Sequence, residues 1–217
     1  MREHQTSSST QSLIDGLTES MAPVARRNPR REALVLGGIL FLQLAGTIAL
    51  MGTNAVAVFT HDFWGSAAKA VMFAGFALGF ALLAFRSFDP TAPRQKNLAI
   101  AMAGALVGFG VLTLDRNFGG GALNVLRPAN GIQCLISSIS FAIPMFIALT
   151  VFMRGAAPTQ PRMTALFIGI ASGAWGTFIY ALQCPFTNIG YLAAWYGGAI
   201  AITTLVAAVL LPRLARW

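Results

Sequence analysis

The two cysteines are the side chains of this sequence best equipped for chemistry, and each falls where an apolar run begins or ends. Cys184 closes the run ALQCP with Pro185 directly behind it, and Cys134 opens another, seven residues after Arg127. Thiols carry out redox chemistry or capture soft metal ions, and two of them are too few for a disulfide scaffold, so their chemistry is local. Their settings differ. A helix N-terminus, expected at Cys134, favours negative charge, whereas a C-terminus, expected at Cys184, opposes it. This makes Cys134 the expected nucleophile and Cys184 the resolving thiol. The plainer alternative is that both are small buried side chains, as free cysteines often are.

The elements that must position these thiols are membrane helices. Of the 217 residues 56% are apolar and only 10% charged, and the mean hydropathy is +0.67, whereas soluble domains are about 25% charged. The net charge of +8 would otherwise point to nucleic acid, but its distribution reads as topology. Six apolar segments reach the ~20 residues that a hydrocarbon core demands: Ala33 to Phe59, Ser66 to Phe85, Asn97 to Leu114, Gly131 to Met153, Met163 to Cys184 and Tyr191 to Leu211. The ends and connections on one side hold 12 of the 15 Lys and Arg residues, leaving Lys69, Arg116 and Arg127 for the other. By the positive-inside rule both termini are cytoplasmic. The fourth segment then runs inward from Cys134 and the fifth runs outward to Cys184, so both thiols are expected at the outer rim, on antiparallel neighbours. Pro144 removes a backbone hydrogen bond within the fourth segment, and a kink is expected there.

Other candidates carry less. His61-Asp62 is a single His with a single Asp, for which pairing with Lys69 or Arg116 competes with a metal or proton site. Polar residues at midspan are few and uncharged, chiefly Gln43, Asn54 and the serines near Cys134, so the acid of a proton-coupled transporter is missing at depth. Gly75/Gly79, Gly104/Gly108 and Gly169/Gly173 recur at the four-residue spacing that lets helices approach closely in lipid. Tyr191, Trp195 and Tyr196 form an aromatic belt that also stands close to Cys184 in sequence and can wall the thiol site.

Residues 1–32 are polar and carry no cleavage-site pattern, so the segment is expected to be retained. Within it STQSLIDGLTESM is expected to form a short amphipathic helix in which Leu13, Ile14, Leu17 and Met21 share one arc and Asp15 and Glu19 lie opposite. A membrane-surface helix would put Lys and Arg on its polar face. This one carries acids, which favours docking into the groove of a cytoplasmic protein.

The assembled features, LIDGLTESMAPVARR, six spans, Cys134, YALQCP, AAWYGG and the closing RLARW, resemble the NrsF-type negative regulators of sigma F. The resemblance implies a bacterial inner-membrane anti-sigma factor: residues 1–32 hold an extracytoplasmic-function sigma factor through Leu13, Ile14, Leu17 and Met21, and residues 33–217 form a six-helix sensor domain. It implies release of that partner under heavy-metal or oxidative stress through Cys134 and Cys184, with no resident cofactor beyond a transient soft metal ion at those thiols. The fold class expected is an all-α membrane bundle with a short cytoplasmic N-terminal helix, without enzymatic activity or direct nucleic-acid binding. Two rivals remain: a small transporter, and a thiol redox membrane protein, which would want a second redox pair or a CxxC that the chain lacks.

Overall fold

A computed structural model describes residues 15–16, 28–51, 63–88, 100, 104, 128–156, 158, 160–186 and 189–214. Among these, all regular structure is helical: α1 (Pro29–Met51), α2 (Phe63–Ser87), α3 (Pro128–Arg154), α4 (Pro161–Ala181), a short α5 (Ile189–Tyr191), a π-helical turn (Leu192–Tyr196) and α6 (Gly197–Leu214), the last three continuous. Among the described residues five helices are long and apolar enough to cross a membrane. They coincide with five of the six expected segments. Apart from Ile100 and Gly104, the expected third span lies outside the described residues. So do Leu13, Ile14, Leu17 and Met21 of the N-terminal segment.

Helix starts follow local chemistry. Asn28 Oδ1 accepts the backbone N–H groups of Arg30 and Arg31 at 3.2 and 3.4 Å, capping α1 with Pro29 in its first position. Pro128 and Pro161 open α3 and α4 in the same way, where a missing N–H costs nothing.

The bundle is built around α4, which packs against α2, α3 and α6. Of its membrane-length window 72% is buried, against 6% for α1. Small residues make this close approach workable. A Cβ added at Gly169 would meet Thr204 Cα of α6 at 2.6 Å, and one at Gly173 would meet Ile200 Cα at 2.8 Å. At Gly176 it would collide with the Ser138 carbonyl and lie 2.6 Å from the Ala142 nitrogen, so α3 and α4 cross backbone to backbone there. The spacing argument fails at Gly75 and Gly104, where an added Cβ meets nothing within 4 Å, because both positions are exposed.

Hydroxyls on these helices mostly fold back on their own backbone, as a dry surrounding requires. Ser172 Oγ donates to the Ile168 carbonyl at 2.7 Å, and Thr203 Oγ1 reaches Ala199 at 2.9 Å and Gly169 of α4 at 3.3 Å. The longest polar reach belongs to Gln43 of α1. Its Nε2 donates to the Phe141 carbonyl of α3 at 2.8 Å, and its Oε1 accepts the indole N–H of Trp175 on α4 at 2.6 Å. Phe141 lies next to Ser140, whose carbonyl loses its helical partner at Pro144. α3 nevertheless runs on through that proline.

Candidate functional site

The second turns of α2 and α3, the segment that follows α4 and the start of the last helix meet at one end of the bundle, and the two thiols lie at that meeting point. Cys134 Sγ and Cys184 Sγ are 3.9 Å apart and both are free thiols. Exposures of 2% and 3% place both inside the protein. The Tyr191 hydroxyl lies 3.0 Å from Cys134 Sγ, and the Cys134 thiol donates to the Tyr180 hydroxyl at 3.7 Å. Contact with Cys134 and then burial push the Cys184 thiol above its ordinary value. Either thiol can donate across the 3.9 Å contact.

An aromatic wall encloses the pair. Tyr196 is fully buried, edge-on to Phe73 at 5.3 Å and to Tyr180 at 6.2 Å, and its hydroxyl sits beside Cys184 without completing a hydrogen bond. Trp195 covers Gly131, where any Cβ would run into the indole ring. Both Trp195 and Tyr196 lie on a π-helical turn, Leu192–Tyr196. Its ending N–H, that of Gly197, reaches back to the Leu192 carbonyl, the wider loop that fits one extra residue.

Two expectations need correction. Cys184 is not the last residue of its helix: α4 ends at Ala181, and the N–H groups of Gln183 and Cys184 both donate to the Tyr180 carbonyl in a terminal turn. Pro185 disfavours helical geometry in the residue before it, which ends the helix early. Cys134 is not in the first turn either, because α3 starts at Pro128 and puts the thiol in the second, beyond the free N–H groups that concentrate the dipole. The difference between the thiols therefore rests on their neighbours more than on helix polarity.

Lys69 was missed as a member of this site. It is 4% exposed, and its Nζ donates to the Cys184 carbonyl at 2.6 Å and the Phe186 carbonyl at 3.2 Å. The signal was present: a lysine within an apolar run marks a functional position unless paired otherwise. Its candidate partners His61 and Asp62 lie outside the described residues. Tyr180 gave no such signal, since a tyrosine near a helix end reads as an interfacial anchor.

The arrangement suits two reactions. Closing 3.9 Å to the ~2.05 Å of a disulfide needs a small displacement of one helix end. A soft metal ion would find two sulfur ligands, because bonds of about 2.3 Å at a tetrahedral angle set sulfurs about 3.8 Å apart. Among the described residues no group of three or more His, Cys, Asp or Glu side chains gathers.

A family model described as "Negative regulator of sigma F", NrsF, matches residues 17–217. The chain belongs to the NrsF family. It is 27% identical to the anti-sigma-F factor NrsF of Caulobacter vibrioides over 94% of this chain and 99% of that protein. It is 29% identical to the probable anti-sigma-F factor NrsF of Azospira oryzae over 39% of this chain and 40% of that protein. No solved structure matches. Within this NrsF-family chain the matched region includes both thiols, Lys69 and the aromatic wall.

Proposed function

We propose that the protein is a membrane anti-sigma factor of the bacterial inner membrane, with cytoplasmic termini, that holds an extracytoplasmic-function sigma factor and releases it when its thiol pair reacts. The observation that carries the sensing half is the 3.9 Å approach of two thiols from separate helices inside a walled site. Family membership carries the regulatory half. The protein is a regulator and not a catalyst in this reading. The sigma factor docks on the stripe of Leu13, Ile14, Leu17 and Met21.

The switch is chemical. A two-electron oxidant takes two electrons and two protons from Cys134 and Cys184 and leaves a disulfide, while a soft metal ion displaces the thiol protons and binds both sulfurs. Either event pulls the start of α3 and the end of α4 together. Gln43 supports the transmission of this change, because it ties α1, the helix that follows the N-terminal segment, to both thiol-bearing helices. A bias of about 1.4 kcal/mol between two bundle states alters partner affinity about tenfold.

Recovery of sigma factor with the intact protein from membranes, before and after diamide or cadmium, tests this. Wild type is expected to retain the partner and lose at least nine-tenths of it on treatment. Cys134→Ser/Cys184→Ser is expected to retain it throughout, and Leu13→Asp/Leu17→Asp never to bind it. Equal release from wild type and the double serine variant would overturn thiol sensing, and full binding by the stripe variant would overturn the docking site.

A further inference from the structure

We propose that Lys69 is the positioning residue of the thiol pair, its ammonium pinning the Cys184–Phe186 strap so that the Cys184 sulfur is held against Cys134. The inference rests on the reading of that pair as the responsive site. It makes α2, a helix without a cysteine, a working part of the sensor.

Among the described residues the strap has few other ties, namely the Phe186 ring against Tyr191 and the Phe186 backbone beside the Cys184 thiol. Pro185 has no N–H to donate, and both Pro185 and Phe186 are exposed at the end of the bundle. The N–H groups of Gln183 and Cys184 are turned back to one carbonyl, that of Tyr180. Past the sulfur the chain is fastened through the carbonyls on either side of Pro185, and Lys69 Nζ takes both. The carbonyls at the end of α4 also carry the negative pole of the helix, where a cation is favoured.

Lysine at this depth is costly and has an easier option. Lys69 lies in the second turn of α2, close enough to the end for its flexible stem to carry the ammonium out to water. Instead it turns inward and is 4% exposed. The buried ammonium exchanges hydration for partners within the protein, the Cys184 and Phe186 carbonyls among them, and a lysine so placed is held for what it arranges.

The consequence spreads beyond Cys184. The Phe186 ring packs tilted against Tyr191 at 5.0 Å, and the Tyr191 hydroxyl rests 3.0 Å from Cys134. Lys69, Phe186, Tyr191 and the two thiols therefore close a circuit across α2, the strap, the last helix and α3. Losing the ammonium loosens both sulfurs together.

The test uses the full-length protein in nanodiscs. In a Cys134→Ser background, where Cys184 is the one thiol, Lys69→Met is expected to raise the rate of Cys184 labelling by a water-soluble maleimide at least tenfold. With both thiols present, Lys69→Met is expected to slow diamide-driven Cys134–Cys184 disulfide formation at least tenfold, the two electrons and two protons passing to the diamide N=N bond. Lys69→Arg keeps the charge and is expected to stay within about threefold of wild type in both measurements. Unchanged rates in a Lys69→Met protein of wild-type thermal stability would overturn the assignment. Should that variant fail to accumulate, Lys69→Arg against Lys69→Gln decides it: equal labelling rates would equally overturn it. Neither rate requires a sigma factor, so a wild-type protein that labels and oxidises as expected but never releases its partner removes the sensing reading and leaves the role of Lys69 standing.

Discussion

α1 and α4 are both long, apolar helices, and α4 is the less apolar of the two by hydropathy, yet α4 is the axis of the bundle and α1 lies at its edge. Water would have sorted them the other way. Between helices already in lipid the hydrophobic effect offers no preference, and what remains is packing. α4 presents Gly169 and Gly173 to the backbone of α6 and Gly176 to that of α3. α1 presents Leu34, Phe41, Leu42 and Ile48 outward, each more than 60% exposed, and its Gly37 and Gly38 face open space. One helix is held by contact along its length. The other is held along one side, by Leu36, Leu40 and Leu44 against the core and by the two hydrogen bonds of Gln43 that reach α3 and α4.

The largest effect expected from this contrast is at Gly176. Leucine there must displace the Ser138 carbonyl and the Ala142 nitrogen, which are backbone and cannot step aside, so Gly176→Leu should cost ~3 kcal/mol or more. Gly37→Leu, on the open face of α1, should change stability by less than ~0.5 kcal/mol. Unfolding of both variants in mixed micelles with rising SDS measures the gap, and similar values would break the comparison.

Gln43→Leu comes next. It deletes both hydrogen bonds of Gln43 and strands the Trp175 N–H, so a loss of about 1–2 kcal/mol is expected. Spin labels on exposed Leu34 should report greater motion of α1, while a label on α4 should not. Equal loosening of the two helices would show that Gln43 braces the whole bundle and is not a joint for α1.

The smallest effect is at Gly131. Its obstacle is the Trp195 ring, a side chain that can rotate, so Gly131→Ala should cost only about 1 kcal/mol. The change should be felt locally, as a roughly fivefold faster alkylation of Cys134, since about 1 kcal/mol corresponds to that factor. Slower alkylation would mean that Trp195 shields nothing.

Much of the scaffold was legible because it depends on composition. Runs of apolar residues of membrane length mark the five described helices, and alternation along the chain is enough to bring Cys134 and Cys184 to one end. What a run of apolar residues does not encode is which of its faces meets a neighbour. Gly75 and Gly169 sit in equivalent four-residue patterns, yet one is exposed and the other touches α6. Gly176, the tightest approach of α3 to α4, stands outside any such pattern. At the site, the thiols announced themselves by rarity, whereas Lys69 acts on backbone carbonyls 115 and 117 residues away, and carbonyls leave no mark in a sequence. The π-helical turn is likewise silent, because Leu-Ala-Ala-Trp-Tyr would fit an ordinary helix equally well.

That turn has a mechanical consequence. It accommodates one residue more than an α-helical turn would, so it is a register offset of one residue kept in reserve. Passing the offset along the chain rotates whatever lies before it by about 100° and advances it by about 1.5 Å, the increments of a single helical residue. The segment before it is Ile189–Tyr191, and the segment after it is α6. Tyr191 can therefore swing its hydroxyl away from the Cys134 sulfur while α6 keeps its seat on Gly169 and Gly173, as a bolt turns in a fixed housing.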